Sequence, residues 1–261
     1  PGVPLGPGQI HDSNSFALTA AAREAGAIAY RVGAVGDDAE ALRTVIEDQL
    51  IRADAIVTSG GVSVGAYDVV KEALSDLDGT VLGSAGPEGA ESGEAGAGGD
   101  GRTDEDSGGE DGGPSGAVRS VDFRRLAMQP GKPQGFGVVG PERVPLFALP
   151  GNPVSAYVSF ELFIRPALRA LMGVTPLSRR TVRARLECEG PLSSPEGKRQ
   201  FLRGWYEPPE PGGEEYGTVR PVGGAGSHLL ASLARANALI VVPERTTEVG
   251  RGERLEVVLL D

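Results

Sequence analysis

The sequence predicts an α/β protein: a three-layer αβα domain with a mostly parallel sheet, followed by a small, mainly-β, barrel-like domain. Helix-like and strand-like segments alternate from Asp12 to about residue 172, a pattern that favours a parallel-rich sheet with helices on both faces. After Gly173 the pattern changes to short β-like runs separated by Gly and Pro turns, which is typical of a small barrel or sandwich. We therefore expect an α/β domain over residues 1–175 and a β domain over residues 176–261.

Capping residues and hydrophobic period predict the elements of the first domain. Asp12, Ser13 and Asn14 offer N-caps to a helix that ends at Gly26. Asp37 and Glu40 have the spacing of a capping box before a second helix. The other predicted elements are strands at 27–35, 55–58, 121–128, 134–139 and 144–149, a helix at 68–77, and a long helix at 153–172 that bends at Pro166.

The second domain is predicted from its β-like runs and the turns between them. These runs are short and end at Gly or Pro, as in small all-β domains. The predicted strands lie at 181–188, 200–206, 217–222, 239–242 and 254–260, with one short helix near 228–235.

The net charge of −11, from 36 Asp and Glu against 25 Lys and Arg, is concentrated in one segment. Residues 84–117 hold 12 Gly and nine acids against one Arg, so this segment carries −8 and the rest of the chain −3. Its only apolar side chains are alanines, which cannot bury enough surface to offset the entropy of ordering. We expect a disordered acidic insertion; a tether for a basic partner is the alternative interpretation.

The composition argues against several classes of function. The acidic balance, and the lack of a basic stripe with interleaved aromatics, argue against nucleic acid and anionic membrane as partners. The single cysteine excludes an intrachain disulfide framework and a cysteine-rich metal site, and it fits a reducing compartment. The sequence has no apolar run of membrane-spanning length and no signal-peptide pattern, so we expect a cytoplasmic protein.

A glycine-rich loop after the strand at 55–58 is the first candidate anion site. Paired glycines let the backbone approach an anion closely, the hydroxyl groups add donors, and the next helix start contributes its positive end. A tight turn is the other interpretation, and Asp68 is either a helix N-cap or a metal or substrate ligand. The candidate residues are Thr58, Ser59, Gly60, Gly61, Ser63, Gly65 and Asp68.

Two further loops are expected at the carboxyl ends of predicted strands, where open α/β sheets bind ligands. Lys132 stands between two prolines on a stiff backbone, so its ammonium is either aimed at an oxyanion or simply solvated. Asn152 fits an N-cap and Pro153 a first helical position, so a helix N-terminus points at the same edge. The candidates are Pro130, Gly131 and Lys132 in one loop, and Pro150, Gly151, Asn152, Pro153 and Ser155 in the other.

An acidic pair, Asp37 and Asp38, follows the strand predicted at 27–35. The pair either caps the next helix or holds a Mg²⁺ that bridges to phosphate oxygens. The sequence shows no pattern of nucleophile, base and orienting group, so anion handling fits better than acyl transfer.

In this order and at this separation, the loops resemble those of the molybdopterin molybdenumtransferase family, the bacterial MoeA type that also includes the E domain of gephyrin. Because several motifs occur in order, the resemblance is more specific than any single glycine loop. A later stretch, AGSHLLASLARANALIVVPE (225–244), is similar to the C-terminal β domain of that family. The matching stretches are GQIHDSN (8–14), GDDAEAL (36–42), TSGGVSVGAYDVVKEAL (58–74), LAMQPGKPQGFG (126–137) and LPGNPVSAYVSFELFIRPAL (149–168).

The resemblance implies the final step of molybdenum-cofactor synthesis. In that step molybdate is inserted into adenylylated molybdopterin and AMP is released, with a divalent cation such as Mg²⁺ assisting. The resemblance further implies that the loops at 58–65 and 150–155 cradle the pterin and phosphate groups. Asp37 and Asp68 match family acids that handle metal or substrate, and Lys132 matches a family lysine, so all three are expected to be catalytic.

This chain departs from the family pattern in two places. Gln129 stands where the family commonly has Lys, and Arg125, at a position that is often basic, is expected to compensate as a substrate-binding residue. Family members also carry two further domains, and the first strand of the α/β domain, before the point that Pro1 matches. The resemblance therefore implies that this chain is the C-terminal portion of a longer, homodimeric protein.

Two other functions are consistent with the residues. A molybdopterin adenylyltransferase shares the α/β domain and a similar Gly-Gly loop, although Val62-Ser63 and the β domain after Gly173 favour the molybdenumtransferase. A non-catalytic molybdopterin-binding or scaffold fragment is the third interpretation, because the gephyrin E domain shows that this architecture can anchor partners.

Overall fold

The computed structural model of the chain describes residues 4–62, 69–70, 72–74, 121–224 and 230–260. The acidic insertion predicted at 84–117 and the candidates Ser63, Gly65 and Asp68 lie outside these residues. Within them, no helix is both long enough and apolar enough to cross a membrane.

The helices and strands have the following bounds in chain order. In the first half they are α1 (Asn14–Glu24), α2 (Ala39–Leu50), β1 (Ile56–Ser59), β2 (Val121–Arg125), β3 (Met128–Gln129), β4 (Pro133–Val139), β5 (Val144–Leu149), α3 (Pro153–Ser159), a π-helical turn (Phe160–Ile164) and α4 (Arg165–Leu171). In the second half they are β6 (Thr181–Leu186), β7 (Leu192–Ser193), β8 (Arg199–Glu207), β9 (Gly217–Pro221), α5 (Leu230–Leu233), β10 (Ala238–Val242), β11 (Glu248–Val249) and β12 (Arg254–Leu259).

A four-stranded sheet in the order β1-β5-β4-β2 forms the centre of the first domain. β1 and β5 are parallel, whereas β4 runs antiparallel to both β5 and β2. The described part of this sheet is therefore mixed, with its parallel pair formed by the two strands that precede candidate loops.

Helical layers cover both faces of this sheet because the side chains of β5 alternate between them. Leu146 and Ala148 pack with Ile46 of α2 on one face. Phe147 and Leu149 face the other way and pack with α1, α3 and the π-helical turn. Every residue of β5 from Leu146 to Leu149 is thus buried, as expected for a strand between two helical layers. The predicted three-layer αβα architecture is confirmed.

Residues 27–35 do not form the strand that the sequence predicts. Their apolar side chains alternate but lie in solvent: Ile28 is 84% exposed and Tyr30 is 72% exposed. The segment joins α1 on one face of the sheet to α2 on the other without pairing to a neighbouring strand. A β pattern needs a neighbouring strand to pair with, and the described residues offer this segment none.

The long helix predicted at 153–172 is interrupted at its middle by the π-helical turn Phe160–Ile164. Pro166 is the second residue of α4, immediately after that turn. Because proline has no N–H to donate to the carbonyl four residues earlier, the wider turn before it accommodates the missing hydrogen bond. The π-helical turn thus ends two residues before Pro166, and the bend predicted at Pro166 stays a prediction.

The C-terminal domain is a closed barrel. β10, β12, β6, β9 and β8 pair in that order, and β8 returns to β10 to close the ring. Ala238, Ile240 and Val242 point into the barrel core. The predicted barrel-like domain is confirmed, with strand bounds within two residues of those predicted, while the two-residue strands β7 and β11 were not predicted.

The barrel and the α/β layers share a hydrophobic seam. Leu239 faces out of the barrel and packs with Met128 and with Val154 and Val158 of α3. β3 pairs with the start of β8, so it belongs to the barrel sheet. The single strand predicted at 121–128 is therefore wrong, because its two ends join different sheets. The domain boundary at residue 175/176 stays a prediction. β3 precedes that boundary in sequence but pairs with a strand of the second domain.

Candidate functional site

The carboxyl ends of β1 and β5 bring two of the three predicted loops together. Ser59 pairs with Leu149 in parallel register, so both strands end at the same edge of the sheet. The Gly60 N–H donates to the Leu149 carbonyl at 3.0 Å. A Cβ on Gly151 would lie 3.4 Å from the Gly60 Cα, so the two glycine turns are in contact.

The loop that carries Lys132 lies at the same edge. It precedes β4, which is antiparallel to β5, so the start of β4 lies beside the end of β5. The loop follows β2 and β3, so it stands after the carboxyl end of a strand, as predicted. Arg125 pairs with Pro133, next to Lys132, and both cationic residues are exposed. This placement suits the compensating role predicted for Arg125.

A residue that sequence reasoning missed, Asn14, ties α1 to the site. Its Nδ2 donates to the Gly151 carbonyl at 2.7 Å, across 137 residues of sequence. Asn14 belongs to the stretch GQIHDSN, which contributes to the family resemblance, and that membership is the sequence feature that could have indicated a site residue. The contact places the N-terminus of α1 beside the Gly60–Gly151 turns, where the positive end of the helix dipole favours an anion.

Of the three predicted capping residues, Ser13 occupies the N-cap position of α1 and Asp12 supplies the side-chain cap. Its Oδ1 accepts a hydrogen bond from the Ser15 N–H at 3.0 Å. Burial acts to raise the pKa of Asp12, but the hydrogen bonds from Ser15 and the charge of Arg31 outweigh it and lower that pKa below its usual value. The cap is therefore negatively charged at neutral pH.

Two buried oxygen atoms near this edge have no hydrogen-bond partner among the described residues. They are Asn14 Oδ1 and Thr58 Oγ1. Buried polar atoms are normally satisfied by protein or water. The start of α1 and the end of β1 thus retain hydrogen-bonding capacity that a polar ligand can use.

The two residues of the acidic pair differ in their contacts: Asp38 caps a helix, and the Asp37 carboxylate has no partner among the described residues. Asp38 Oδ1 accepts a hydrogen bond from the Ala41 N–H at 3.0 Å and caps α2. The capping box predicted from Asp37 is therefore wrong by one residue. Asp37 is exposed and makes no hydrogen bond or ion pair within the described part of the chain. Because α2 returns to the start of β1 through residues 51–55, its N-terminus lies toward the carboxyl end of β1.

The remaining predicted residues differ in exposure. Asn152 occupies the N-cap position of α3 and Pro153 its first turn, as predicted. The exposed candidates are Ser59, Gly61, Lys132, Gly151 and Asn152, the half-buried ones Thr58, Gly60 and Pro153, and the buried ones Pro130, Gly131, Pro150 and Ser155.

The described residues do not form a metal site by themselves. They hold no group of three His, Cys, Asp or Glu side chains that could bind an ion. Mg²⁺ commonly keeps several waters and binds through one or two carboxylates together with substrate phosphates. The lone Asp37 carboxylate fits a cation that is bound jointly with an anionic substrate.

A cavity of about 890 Å³ lies away from these loops, on the face of the sheet beside α4. Phe136, Phe147, Phe163 and Leu171 line it. Its lining is mainly apolar, with Arg124 and Gln134 as side-chain donors, so the edge of the sheet, where the loops converge, remains the better candidate site.

Known protein families match both halves of this architecture. A family model described as "Probable molybdopterin binding domain" matches residues 2–87 and 97–170. A second, described as "MoeA C-terminal region (domain IV)", matches residues 183–260. The chain belongs to the MoeA-type molybdopterin molybdenumtransferase family. The resemblance inferred from the ordered motifs is confirmed.

Relatives within this MoeA-type family cover the whole chain. Molybdopterin molybdenumtransferase 2 of Mycobacterium tuberculosis is 41% identical over 98% of this chain and 52% of its own length. Molybdopterin molybdenumtransferase 1 of the same organism is 37% identical over 98% of this chain and 50% of its own length. A crystal structure of the molybdopterin biosynthesis MoeA protein from Pyrococcus horikosii aligns with a TM-score of 0.67 and 27% identity, covering 100% of this chain and 51% of that one. The chain thus spans about half the length of the MoeA-type relatives that it matches.

Proposed function

We propose that the protein containing this chain inserts molybdate into adenylylated molybdopterin and releases AMP. The observation that carries the proposal is the convergence of three loops and the N-termini of α1 and α3 at one sheet edge, with Arg125 and Lys132 beside them. Such an edge suits a substrate that contains two linked phosphates. Membership of the MoeA-type family supports the same reaction.

The proposed reaction breaks the phosphoanhydride bond between molybdopterin phosphate and AMP. The oxygen of a water molecule bonds to the molybdopterin phosphorus, the water's protons pass to the two product phosphates, and AMP leaves with the bonding electron pair on its phosphate oxygen. The two dithiolene thiols bind molybdenum as thiolates, and their protons leave with one molybdate oxide as water. Molybdenum stays hexavalent throughout, so the step needs no oxidant or reductant.

The chain's own residues then serve to position the substrate and to neutralise charge. The Gly60–Gly61 and Pro150–Gly151 turns let the backbone approach the substrate closely. Lys132 and Arg125 stabilise the charge that develops on the leaving phosphate. A bound Mg²⁺, held in part by Asp37, would neutralise further phosphate charge.

We expect Asp37→Asn to raise the Mg²⁺ concentration for half-maximal AMP release by about tenfold, the effect of losing one charge-assisted contact. Because Asp37 is exposed and does not cap α2, the free energy of unfolding should change by less than about 0.5 kcal/mol. A Mg²⁺ titration of AMP release measures the first effect and urea unfolding the second.

Asp38→Ala is the matched control, because it changes the neighbouring acid with the opposite result. It should lower the free energy of unfolding by about 1 kcal/mol through the lost cap and leave the Mg²⁺ titration unchanged. If Asp37→Asn also leaves that titration unchanged, Asp37 has no role in cation binding.

Calorimetry with molybdopterin and with its adenylate distinguishes the three functions consistent with the sequence. Molybdate insertion predicts tighter binding of the adenylate, and AMP release when molybdate is added. An adenylyltransferase would instead form the adenylate from molybdopterin and ATP, with release of pyrophosphate. Equal affinity for both pterins, with no turnover of either, would indicate a scaffold. The barrel's match to the MoeA C-terminal region favours the first outcome.

The longer protein is further proposed to be a cytoplasmic homodimer. The family resemblance supports the dimer, as do the exposed apolar side chains of Phe136, Phe163 and Leu171 around the 890 Å³ cavity. The single cysteine supports a reducing compartment. Sedimentation of the full-length protein should give twice the monomer mass, and a monomer at micromolar concentration would contradict the proposal.

A further inference from the structure

The side-chain amide of Gln134 fixes the loop that carries Lys132 through two hydrogen bonds. Gln134 Nε2 donates to the Gly131 carbonyl at 2.7 Å and to Ser159 Oγ at 2.5 Å. An amide nitrogen has two hydrogens, so both contacts form at once. The Lys132 carbonyl accepts a third hydrogen bond, from the Leu126 N–H at 2.8 Å. Both carbonyls that flank the Lys132 Cα are therefore bonded within the protein.

Close packing at Gly131 restricts this loop further. Gly131 has a φ of +99°, and a Cβ there would lie 2.8 Å from Ser159 Oγ and 2.9 Å from Met128 Cε. Ser159 is completely buried near the end of α3, the helix whose N-terminus lies at the Gly151 turn. One helix thus supports both the lysine loop and the turn that follows β5.

The orientation of the Gly131 carbonyl sets the direction of the next N–H. In a trans peptide the C=O of one residue and the N–H of the next point in opposite directions. Because the Gly131 carbonyl points at Gln134, beside the buried Ser159, the Lys132 N–H points away from them, toward the outer side of the loop. The Lys132 side chain is exposed, so one residue presents both a backbone N–H and an ammonium group.

We propose that Gln134 and Ser159 are positioning residues that hold the 131–132 peptide so that the Lys132 N–H and ammonium bind one phosphate group together. This inference rests on the proposed function, since it specifies how the lysine loop binds the substrate's phosphates. The two donors have different chemistry: the ammonium supplies charge, and the fixed N–H supplies direction. A loop lysine without this support would contribute charge alone.

The barrel adds a second support behind the same loop. The Arg199 N–H donates to the Ala127 carbonyl at 2.9 Å, and β3 is paired to the start of β8. The chain entering the loop is therefore fixed by the barrel, while the chain leaving it is fixed by Gln134. Through these two contacts the C-terminal domain helps to shape the proposed anion site.

The test uses inorganic pyrophosphate as the probe and Gln134→Met as the variant, because methionine matches glutamine in shape but has no donor. Calorimetry should show pyrophosphate affinity reduced about five- to tenfold. In ¹⁵N NMR spectra, pyrophosphate should shift the Lys132 amide of the unsubstituted chain, and this shift should shrink in the variant. Ser159→Ala leaves the Gln134 amide with one hydrogen-bond acceptor. It should lower the pyrophosphate affinity and the shift of the Lys132 amide, but each by less than Gln134→Met does.

Lys132→Ala and Gln49→Met serve as comparisons. Lys132→Ala should weaken pyrophosphate binding about ten- to a hundredfold, and its effect should combine non-additively with that of Gln134→Met. The Gln49 side chain accepts hydrogen bonds from Arg52 at the end of α2, away from the lysine loop, so Gln49→Met should leave binding unchanged.

The outcomes separate the two proposals. If Lys132→Ala weakens binding and Gln134→Met does not, the positioning role is wrong while the lysine site stands. A lower melting temperature of Gln134→Met with unchanged affinity would likewise reduce Gln134 to a structural residue. If Lys132→Ala itself has no effect, or the unsubstituted chain does not bind pyrophosphate, the anion site at this loop fails and the positioning inference fails with it.

Discussion

Replacing Glu161 with glutamine is expected to lower the free energy of unfolding by about 3 kcal/mol, because it leaves buried arginine charge without its main partner. The Glu161 side chain is 1% exposed and receives Arg179 Nε at 2.9 Å. Arg165 Nε lies 3.9 Å from the same carboxylate. Glutamine has the same shape but no charge, so the expected loss reflects electrostatics rather than packing.

The pKa values of Arg179 and Arg165 shift in opposite directions. Burial alone would lower the pKa of Arg179, but the hydrogen bonds and charges of Glu161 and Glu24 outweigh it and raise that pKa. Burial and the neighbouring Arg179 charge lower the pKa of Arg165. Arg165 Nη1 is also buried without a hydrogen-bond partner among the described residues. Arg165 is therefore the more weakly compensated cation and depends on Glu161.

Glu24 limits the expected loss to the lower end of the range for a broken buried pair. Its Oε1 contacts Arg179 Nη2 at 2.5 Å and remains after the substitution. Because Arg179 lies in the connection between α4 and β6, this cluster also anchors the first barrel strand to the α/β layers.

Glu207→Gln is the matched control, since it breaks an exposed pair of similar geometry. Glu207 and Arg220 are 3.1 Å apart, and more than half of each side chain is in solvent. Its loss should cost less than about 1 kcal/mol. Urea unfolding of both variants measures the difference, and equal losses would contradict a special role for the buried cluster.

The second large effect is expected for Lys132→Ala, which should slow AMP release by about 10²- to 10³-fold. That is the usual consequence of removing one preorganised donor from developing negative charge. The stability should not change, because Lys132 is exposed. The measurement is AMP formed from adenylylated molybdopterin in the presence of molybdate and Mg²⁺.

Lys198→Ala controls for the loss of a lysine charge as such. Lys198 lies in the turn before β8, where its backbone N–H donates to the Pro195 carbonyl at 3.3 Å. It should release AMP at the unsubstituted rate. Equal rates for all three proteins would remove Lys132 from the mechanism, whereas equal losses would indicate a general charge effect.

Much of the fold was predictable because local patterns and tertiary packing agree. The run at 144–149 is apolar throughout and forms β5 with those bounds, since a strand between two helical layers needs apolar residues on both faces. Asn152 and Pro153 open a helix where their capping preferences place one. The change of pattern after Gly173 correctly indicated a barrel.

The failures occur where a residue's structure depends on a distant partner. Residues 27–35 have the period of a strand but no strand to pair with in the described chain. Met128 was assigned to the strand that contains Val121, yet it pairs with β8, more than 70 residues later. The sequence predicts Asn14 as one of three capping residues. Its contact with Gly151 depends on the packing of α1 against α3.

The sequence by itself determined the family, the α/β and barrel architecture, and the three loops that contain the candidate residues. These follow from capping groups, hydrophobic period and motif order, which are all short-range properties of the chain. The tertiary structure alone decided that the lysine loop leads into an antiparallel strand at the shared sheet edge, and that Asp38 rather than Asp37 caps α2. It also placed Gln134 and Ser159 beneath Gly131. Hydrogen bonds between residues far apart in sequence leave no periodic signal, so only the folded chain reveals them.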